Sequence, residues 1–205
     1  MKYLILLLLV VSCATPYNYE NFRAAKPRSI LILPPMSNST DVRATYSYLS
    51  TVTMPVAEKG FYVFPVAIID QMMKENGLPS ANEMHQASVK KLREIINPDA
   101  ILYLTLESYG TSYVIIDSQT TVTVSGKMIS ALTGDIIWEG RASANDGSDN
   151  SGGGLTGMLI GAVIKQAVNS STDQAHNIAP QANQILFQNE NSGLLNGPYH
   201  PKPQY

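Results

Sequence analysis

Apolar residues early in the chain form short runs that predict buried strands. Ser29 to Leu33 is apolar apart from its first residue and is followed at once by two prolines. Proline cannot donate to a central ladder, so a run that stops there is typical of a buried strand. Phe61 to Val66 is rich in aromatic and β-branched residues and predicts a second strand, with Pro65 near its end.

The segment between these strands has helical spacing. Over residues 41–59 the apolar positions recur every three or four residues, at Val42, Tyr46, Leu49, Val52 and Val56. This spacing predicts one face of a helix. Pro55 lies inside it and predicts a kink or a break near Thr53. Gly60 follows as the expected C-cap.

Two further helices are predicted after the second strand. Residues 67–76 carry Ile68, Ile69, Met72 and Met73 on one side and stop before a glycine. Ser80 and Glu83 have the spacing of a capping box, which predicts the start of the next helix. That helix is expected to turn Val89, Leu92, Ile95 and Ile96 inward and to end at Asn97.

The later part of the chain has strand character. Strands are predicted over 100–107, 113–117, 119–130 and 136–141, with a turn at 132–135. The order β-α-β-α-α-β followed by a β-meander predicts an α/β domain with a mixed sheet. Residues 173–188 predict a C-terminal helix, and the polar stretch 189–205 predicts a flexible tail, either disordered or strapped over the surface.

One apolar segment follows the glycine-rich loop over 144–154. Gly157 and Gly161 are spaced four apart, which allows close approach of two helices. Three interpretations stay open: a core helix on the sheet, a partner or dimer interface, and insertion into a membrane. The segment is too short to span a bilayer. The interface interpretation assigns these residues to the contact: Leu155, Gly157, Met158, Leu159, Ile160, Gly161, Val163 and Ile164.

The N-terminus predicts a secretory signal peptide over residues 1–12. Lys2 precedes the apolar run Tyr3 to Val11, and Cys13 is the only cysteine of the chain. The four residues that end at Cys13 resemble a bacterial lipobox. That resemblance implies cleavage before Cys13, a thioether-linked diacylglycerol, an N-acyl chain such as palmitate, and, because residue 14 is alanine, the outer membrane. Residues 13–28 are then expected to be a polar, lipidated tether, and 29–188 a single domain.

Composition narrows the function classes. The formal net charge is −2, and the longest basic cluster, Lys90 to Arg93, is interrupted by a leucine, so no nucleic-acid surface is expected. Once Cys13 is lipidated, no thiol remains for a disulfide, a thiolate metal site or a nucleophile. Folding stability must then come from packing.

The pattern of reactive residues predicts neither catalysis nor a bound cofactor or metal. His85, His176 and His200 include no pair with the spacing of a zinc motif, and no GxSxG nucleophile elbow exists. Gly152 to Gly154 lacks the GK[ST] ending of a P-loop. The acidic stretch from Asp146 lacks the glutamate of an EF-hand. We therefore expect no enzyme.

A longer local pattern carries a family resemblance. Thr53 to Val66 (TMPVAEKGFYVFPV), with Pro98 to Ala100 and Thr133 to Asp135 ahead of Trp138, resembles a family of meningococcal-type bacterial outer-membrane lipoproteins of unknown function. The resemblance covers roughly 13–188. It implies a three-layer α/β fold similar to the N-terminal domain of TolB and to the curli-secretion lipoprotein, with no catalytic residues to carry over.

The same resemblance implies a function class. It favours a non-catalytic binding or scaffold component of an outer-membrane assembly or secretion system, anchored by its lipid and facing the periplasm. A curli-secretion-like lipoprotein is the implied partner, and a homodimer is a further expectation. The rival hypothesis is a small-molecule- or glycan-binding accessory lipoprotein of a transporter. A pocket of convergent polar groups would favour the rival, and a flat apolar patch would favour the scaffold.

Overall fold

Six strands form one mixed sheet in the computed structural model, which describes residues 17–114, 117–146 and 173–204. The sheet order is β3-β1-β4-β5-β6, and β2 pairs with β4 beyond the end of β1. The first three strands run parallel to β4, whereas β5 and β6 are antiparallel. The strands are β1 (Ser29–Ile32), β2 (Met36–Ser37), β3 (Tyr62–Val63), β4 (Ala100–Val114), β5 (Asp117–Ser130) and β6 (Ile136–Asn145).

Helices cover the sheet on both faces. They are α1 (Glu20–Ala25), α2 (Ala44–Glu58), α3 (Val66–Glu75), α4 (Ala81–Gln86), α5 (Val89–Ile96) and α6 (Gln174–Gln188). Alternate strand residues face opposite layers. Ile30 and Leu102 join a core with α1, α2 and α6. Leu31 and Ile101 join a second core with α3, α4 and α5. The predicted three-layer α/β fold with a mixed sheet is confirmed.

The β4–β5 hairpin is longer than the pattern predicts. Residues 100–107 and 113–117 were expected to be separate strands, but 100–114 is continuous and pairs with 117–130. A register shift between Leu106 and Ser108 marks a β-bulge at Glu107. The bulge breaks strict alternation, and this is why the apolar pattern suggests a strand end there.

Helix α2 is rotated from its predicted orientation. Val42 precedes the helix and is 93% exposed, and Tyr46 is 45% exposed. Tyr48 is fully buried instead, beside the predicted Leu49, Val52 and Val56. The Tyr48 hydroxyl donates to Asn183 Oδ1 on α6, so its polar end has a partner in the core. Pro55 lies within the helix, which continues to Glu58 without the predicted break.

The α3–α5 layer differs from its prediction in detail. The capping box is confirmed, because Ser80 N donates to Glu83 Oε2 and Glu83 N donates to Ser80 Oγ. The predicted helix over 80–97 is two helices, however, since Ser88 caps a new start. Ile68 and Ile95 were expected inside but are 64% and 69% exposed. The second predicted strand shortens to two residues, because Pro65 begins α3.

The predicted tether is wrong over residues 17–28. Glu20–Ala25 forms α1, and Phe22 is fully buried in edge-to-face contact with Phe61 at 6.2 Å. The amphipathic signal is a single aromatic residue in a six-residue helix, which is too short for periodicity to detect. The folded domain therefore includes residues that the sequence pattern assigns to the lipid tether.

Residues 189–204 are strapped over the surface, which is one of the two predicted alternatives, and they do not form a flexible tail. Leu194 and Leu195 are buried in the α2–α6 core. Gly197 N donates to Lys59 O, and Tyr199 N donates to Gly60 O. We call residues 189–204 the strap.

The sheet has two distinct ends. One end, which we call the α1 pole, holds α1, the strap and the turn between β5 and β6. Asn21 Nδ2 of α1 donates to Ile136 O at the start of β6, and Tyr19 Oη donates to Gly193 O of the strap. The other, the hairpin pole, holds the β4–β5 connection and the starts of α2 and α6. The poles are separated by the length of β4, whose 15 residues extend about 45–50 Å at the strand rise.

Replacing Tyr48 with phenylalanine is expected to lower the free energy of unfolding by about 1–3 kcal/mol, because Asn183 Oδ1 would lose its donor in a fully buried site. Tyr46→Phe is the matched control, since that hydroxyl lies at the surface, 3.2 Å from Asp70. Its cost should stay within about 0.5 kcal/mol. Urea unfolding measures both variants, and equal losses would contradict a core role for the Tyr48 hydroxyl.

Candidate binding surface

One face of the sheet is only partly covered by helices. The second core, under α3–α5, includes Leu31, Leu33 and Ile101 but no residue of β6. The outer face of β5 and β6, beside α4 and α5, is therefore not covered by these helices. The resulting groove has a volume of about 680 Å³. We call it the open groove and define it by His85, Val89, Tyr103, Thr105, Ser125, Lys127 and Glu139.

Cross-strand rows arrange its polar groups. Tyr103 pairs with Lys127, and Lys127 pairs with Glu139. The Lys127 ammonium lies 6.0 Å from the centre of the Tyr103 ring. This row therefore combines an aromatic surface, a cation and a carboxylate within three adjacent strands.

The next row is held by an ion pair. Arg141 Nη2 lies 2.6 Å from Glu107 Oε2, and Arg141 Nε lies 3.0 Å from both carboxylate oxygens. The hydrogen bonds from Arg141 lower the pKa of Glu107. Strand alternation places the Glu107 side chain on the same face as Thr105 and Arg141, and the bulge changes the facing only of the residues that follow it. This arrangement leaves the two charges mutually neutralised beside Ser125.

His85 forms the helical wall of the groove. Its Nε2 lies 2.9 Å from Pro34 O, a carbonyl that can only accept, so Nε2 carries the proton and Nδ1 is an acceptor. The imidazole packs edge-on against Tyr103 at 5.2 Å. Burial lowers the pKa of His85 below 6.5, the Pro34 carbonyl opposes that shift, and the Lys127 charge adds to it. The neutral imidazole is therefore the form favoured near pH 7.

The depressed pKa of His85 predicts a pH dependence of folding. A histidine with a lower pKa in the folded state binds fewer protons there than in the unfolded chain, so its contribution to stability is present above about pH 6.5 and is lost as pH falls. We expect His85→Gln to lose less unfolding free energy than the wild type between pH 7 and pH 5. Urea unfolding at each pH tests this. The difference in unfolding free energy between the two proteins at pH 8, where both side chains are neutral, corrects for packing. If the unfolding free energies of the two proteins changed in parallel with pH, the prediction would be contradicted.

A second polar cluster lies at the hairpin pole. Ser47 Oγ is 2.6 Å from Tyr109 Oη, 2.8 Å from Asp173 Oδ2 and 3.1 Å from His176 Nδ1. Burial raises the pKa of Tyr109 to about 12, so this hydroxyl keeps its proton. Serine, histidine and aspartate together invite comparison with a nucleophilic site.

The geometry of this cluster favours a structural lock. His176 Nδ1 is also 3.3 Å from Ser47 O, a carbonyl acceptor, so Nδ1 carries the proton and is not the base that would activate Ser47. Asp173 Oδ1 accepts from His176 N and caps α6. Ser47 Oγ thus donates to Asp173 and accepts from two donors, and the cluster ties α2 to the start of α6.

The flanks of residues 147–172 meet at one residue of the same pole. Thr120 N donates to Asp146 Oδ1 at 2.9 Å, and Thr120 Oγ1 donates to Gln174 Oε1 at 2.9 Å. Thr120 is fully buried. The chain therefore leaves and re-enters the described domain at the same point.

Comparison with known proteins identifies the family. The family model described as "Putative lipoprotein GNA1162-like" matches residues 17–199. The chain belongs to this family. It is 40% identical over 189 residues to "Putative lipoprotein NMB1124/NMB1162" of Neisseria meningitidis serogroup B, which covers 92% of this chain and 88% of that protein.

A solved structure of this GNA1162-like family has a similar architecture. The crystal structure of lipoprotein GNA1162 from Neisseria meningitidis has a TM-score of 0.58 and 43% identity, and covers 70% of this chain and 100% of its own. The PelC dodecamer from Paraburkholderia phytofirmans gives a TM-score of 0.45 at 13% identity, over 77% of this chain and 86% of its own. The predicted family of meningococcal-type lipoproteins is confirmed.

The residues predicted to act in this lipoprotein are not among those that the structure describes. Cys13 and the segment with Leu155 and Ile164 lie outside residues 17–114, 117–146 and 173–204. Within those ranges there is no group of three or more metal-ligating acidic, histidine or cysteine residues. None of the helices in the described part of the chain is long and apolar enough to cross a membrane.

Sequence reasoning missed both polar sites. His85 and Tyr103 reach the same groove from α4 and β4. Ser47 contacts Tyr109, Asp173 and His176, which follow it in the chain by 62, 126 and 129 positions. The capping box at Ser80 is the one local signal that fixes the start of α4 and therefore the position of His85 on it. The pairing itself has no local signal.

Proposed function

We propose that this lipid-anchored protein is a non-catalytic binding or scaffold component of an outer-membrane assembly or secretion system. The observation that supports it most is that Thr120 holds both flanks of residues 147–172, which include the predicted interface segment, at one point of the hairpin pole. The open groove adds an accessible sheet face, to which the half-buried His85 of α4 and strands β4 to β6 contribute from segments far apart in the chain. Family membership supports the lipoprotein class.

The lipid is assigned to Cys13. A diacylglycerol and an N-acyl chain bury enough methylene groups for stable anchoring, at about 0.8 kcal/mol for each group. Ala14 favours the outer membrane over retention at the inner one, and the domain then faces the periplasm.

The segment from Leu155 to Ile164 is proposed as the protein-binding element. Its flanks are held together by Thr120 at the hairpin pole. A contact there is consistent with an envelope protein partner such as a curli-secretion-like lipoprotein, or with a second copy of the chain. Gly157 and Gly161 would allow close helix approach in either case.

The open groove favours a second candidate function, the binding of a glycan. Sugar hydroxyls both donate and accept, and the groove offers the His85 Nδ1 acceptor, the Ser125 and Thr105 hydroxyls, and the Lys127 and Glu139 charges. Tyr103 adds an aromatic wall. Convergent polar groups of this kind are the feature that distinguishes a ligand site from a flat scaffold surface.

Crosslinking in intact cells tests the proposal. A photoreactive amino acid is placed at Ser125 in the groove and, as a control, at Gln71, which is exposed on α3. Each is combined with the wild-type chain and with a deletion of residues 155–164. We expect a specific envelope protein to be crosslinked from Ser125 and not from Gln71. This crosslink should be lost or reduced when residues 155–164 are deleted.

The alternative result is equally informative. A saccharide recovered with the purified domain, together with no protein crosslink at Ser125, would replace the scaffold with glycan binding. Thr105→Lys, which crowds the groove, should then abolish saccharide recovery, whereas Gln71→Lys should not.

A further inference from the structure

The N-terminal residues of the described chain are fastened to the domain. Glu139 N donates to Tyr17 Oη at 2.7 Å, and Tyr19 Oη donates to Gly193 O at 2.5 Å. The two tyrosine rings lie 4.6 Å apart. With Phe22 fully buried, the chain is docked on the α1 pole from Tyr17 onward.

This docking shortens the reach of the lipid anchor. Only four residue steps separate Cys13 from Tyr17, and an extended chain spans at most about 14 Å over four steps. A tether that ran to residue 28 would span about 50 Å. The shorter reach is less than a third of the length of β4, about 45–50 Å. A reach this short keeps the docked α1 pole within about 14 Å of the membrane surface.

Apolar side chains at the α1 pole are left exposed. Leu132 is 68% exposed and lines one cavity with Asn21 and Ala24 of α1. Ile136 is 44% exposed, and its carbonyl accepts from Asn21. Tyr17 and Tyr19 are half-buried at the same end. Tyrosines beside apolar side chains suit the interface between headgroups and water.

Charge at this pole is mixed. Arg23 and Lys26 share this pole with Glu20 and with Asp135, which lines the same cavity as Ala24, and Arg28 pairs with Asp99 at 3.6 Å. Attraction to anionic lipid is therefore not what would hold the pole in place. The lipid anchor supplies the affinity of the protein for the membrane, and the short reach holds the α1 pole near the membrane surface.

We propose that the α1 pole lies against the lipid headgroups of the membrane that carries the anchor, and that the hairpin pole points away from it. The proposal rests on the Cys13 lipid anchor of the proposed function. It adds that the domain is seated on the membrane surface, so partners meet the hairpin pole from the aqueous side.

Site-specific fluorescence quenching tests this orientation. Because lipidation uses the only cysteine, one introduced cysteine can be labelled alone in the membrane-extracted protein. Ala24→Cys places a bimane label on exposed α1. Thr40→Cys places the label near Tyr109. Tyr109 lies nine residues along β4 from Ala100, and therefore about 30 Å from the α1 pole. The lipidated proteins are reconstituted into phosphatidylcholine vesicles that contain a phosphatidylcholine with a nitroxide on its headgroup.

We expect strong quenching at residue 24 and none above the nitroxide-free baseline at residue 40, with or without added phosphatidylglycerol. A Gly-Ser insertion of about 15 residues between residues 16 and 17 lengthens the reach by about 50 Å and should sharply reduce quenching at residue 24. Equal quenching at the two sites, or none at either in vesicles that float with the protein, would overturn the orientation and leave the lipid anchor intact. Failure of the protein to float with the vesicles would overturn both.

Discussion

Replacing Gly60 with alanine is expected to lower the free energy of unfolding by about 3 kcal/mol. Gly60 has a φ of +83°, and a Cβ there would lie 2.2 Å from His200 N in the backbone of the strap. The left-handed conformation costs a residue with a Cβ about 1–2 kcal/mol, and crowding in a packed site costs about 1–3 kcal/mol. Urea unfolding followed by the fluorescence of Trp138, the only tryptophan, measures the loss.

Gly77→Ala separates the two causes. Gly77 has a φ of +84° but no atom within 4 Å of the added Cβ. It should therefore lose only the conformational part, about 1–2 kcal/mol. Limited proteolysis of the same proteins should release the strap faster in the Gly60 variant alone. Equal stability losses and equal cleavage would mean that the strap does not pack on Gly60 in solution.

Replacing Phe22 with alanine is expected to cost about 3–5 kcal/mol, the usual range for removing a buried aromatic side chain. Phe22 is 0% exposed and contacts Phe61, although it lies only nine residues after Cys13, the proposed lipid anchor. The cost arises because α1 would lose the side chain that holds it on the core. Urea unfolding monitored at Trp138 again provides the measurement.

Tyr199→Ala is the matched control for Phe22. Tyr199 lies in the strap and is 67% exposed. Its loss should change the unfolding free energy by no more than about 0.5 kcal/mol. If Phe22→Ala were equally mild, residues 17–28 would behave as a tether in solution, and the short reach to the membrane would lose its basis.

The proposed lipid anchor and the proposed binding segment lie at opposite poles of the domain. The α1 pole is the end nearest Cys13, whereas Thr120 and the flanks of residues 147–172 lie at the hairpin pole. A protein seated on the membrane would present that pole to partners in the aqueous space. The distance between anchor and partner would then be set by the length of β4.

Local patterns in the sequence were enough to predict the class of fold. Apolar runs stopped by proline or glycine located β1 and the start of β4, and the Ser80 and Glu83 spacing located α4. These signals work because strand alternation, helix spacing and caps depend on residues only a few positions apart. The lipobox-like residues that end at Cys13 and the family motif are likewise contiguous stretches of sequence.

Tertiary contacts decided the orientation of each element and the extent of the domain. Tyr48 is buried, and Tyr46 is not, because Tyr48 meets an Asn183 that lies 135 residues away. Tyr19 binds the strap across 174 residues, and this contact turns a predicted tether into part of the domain. The polar cluster of Ser47 and the groove beside His85 also join distant segments. Periodicity depends only on neighbouring residues, so only the folded chain determines which polar residues meet and where the domain begins after Cys13.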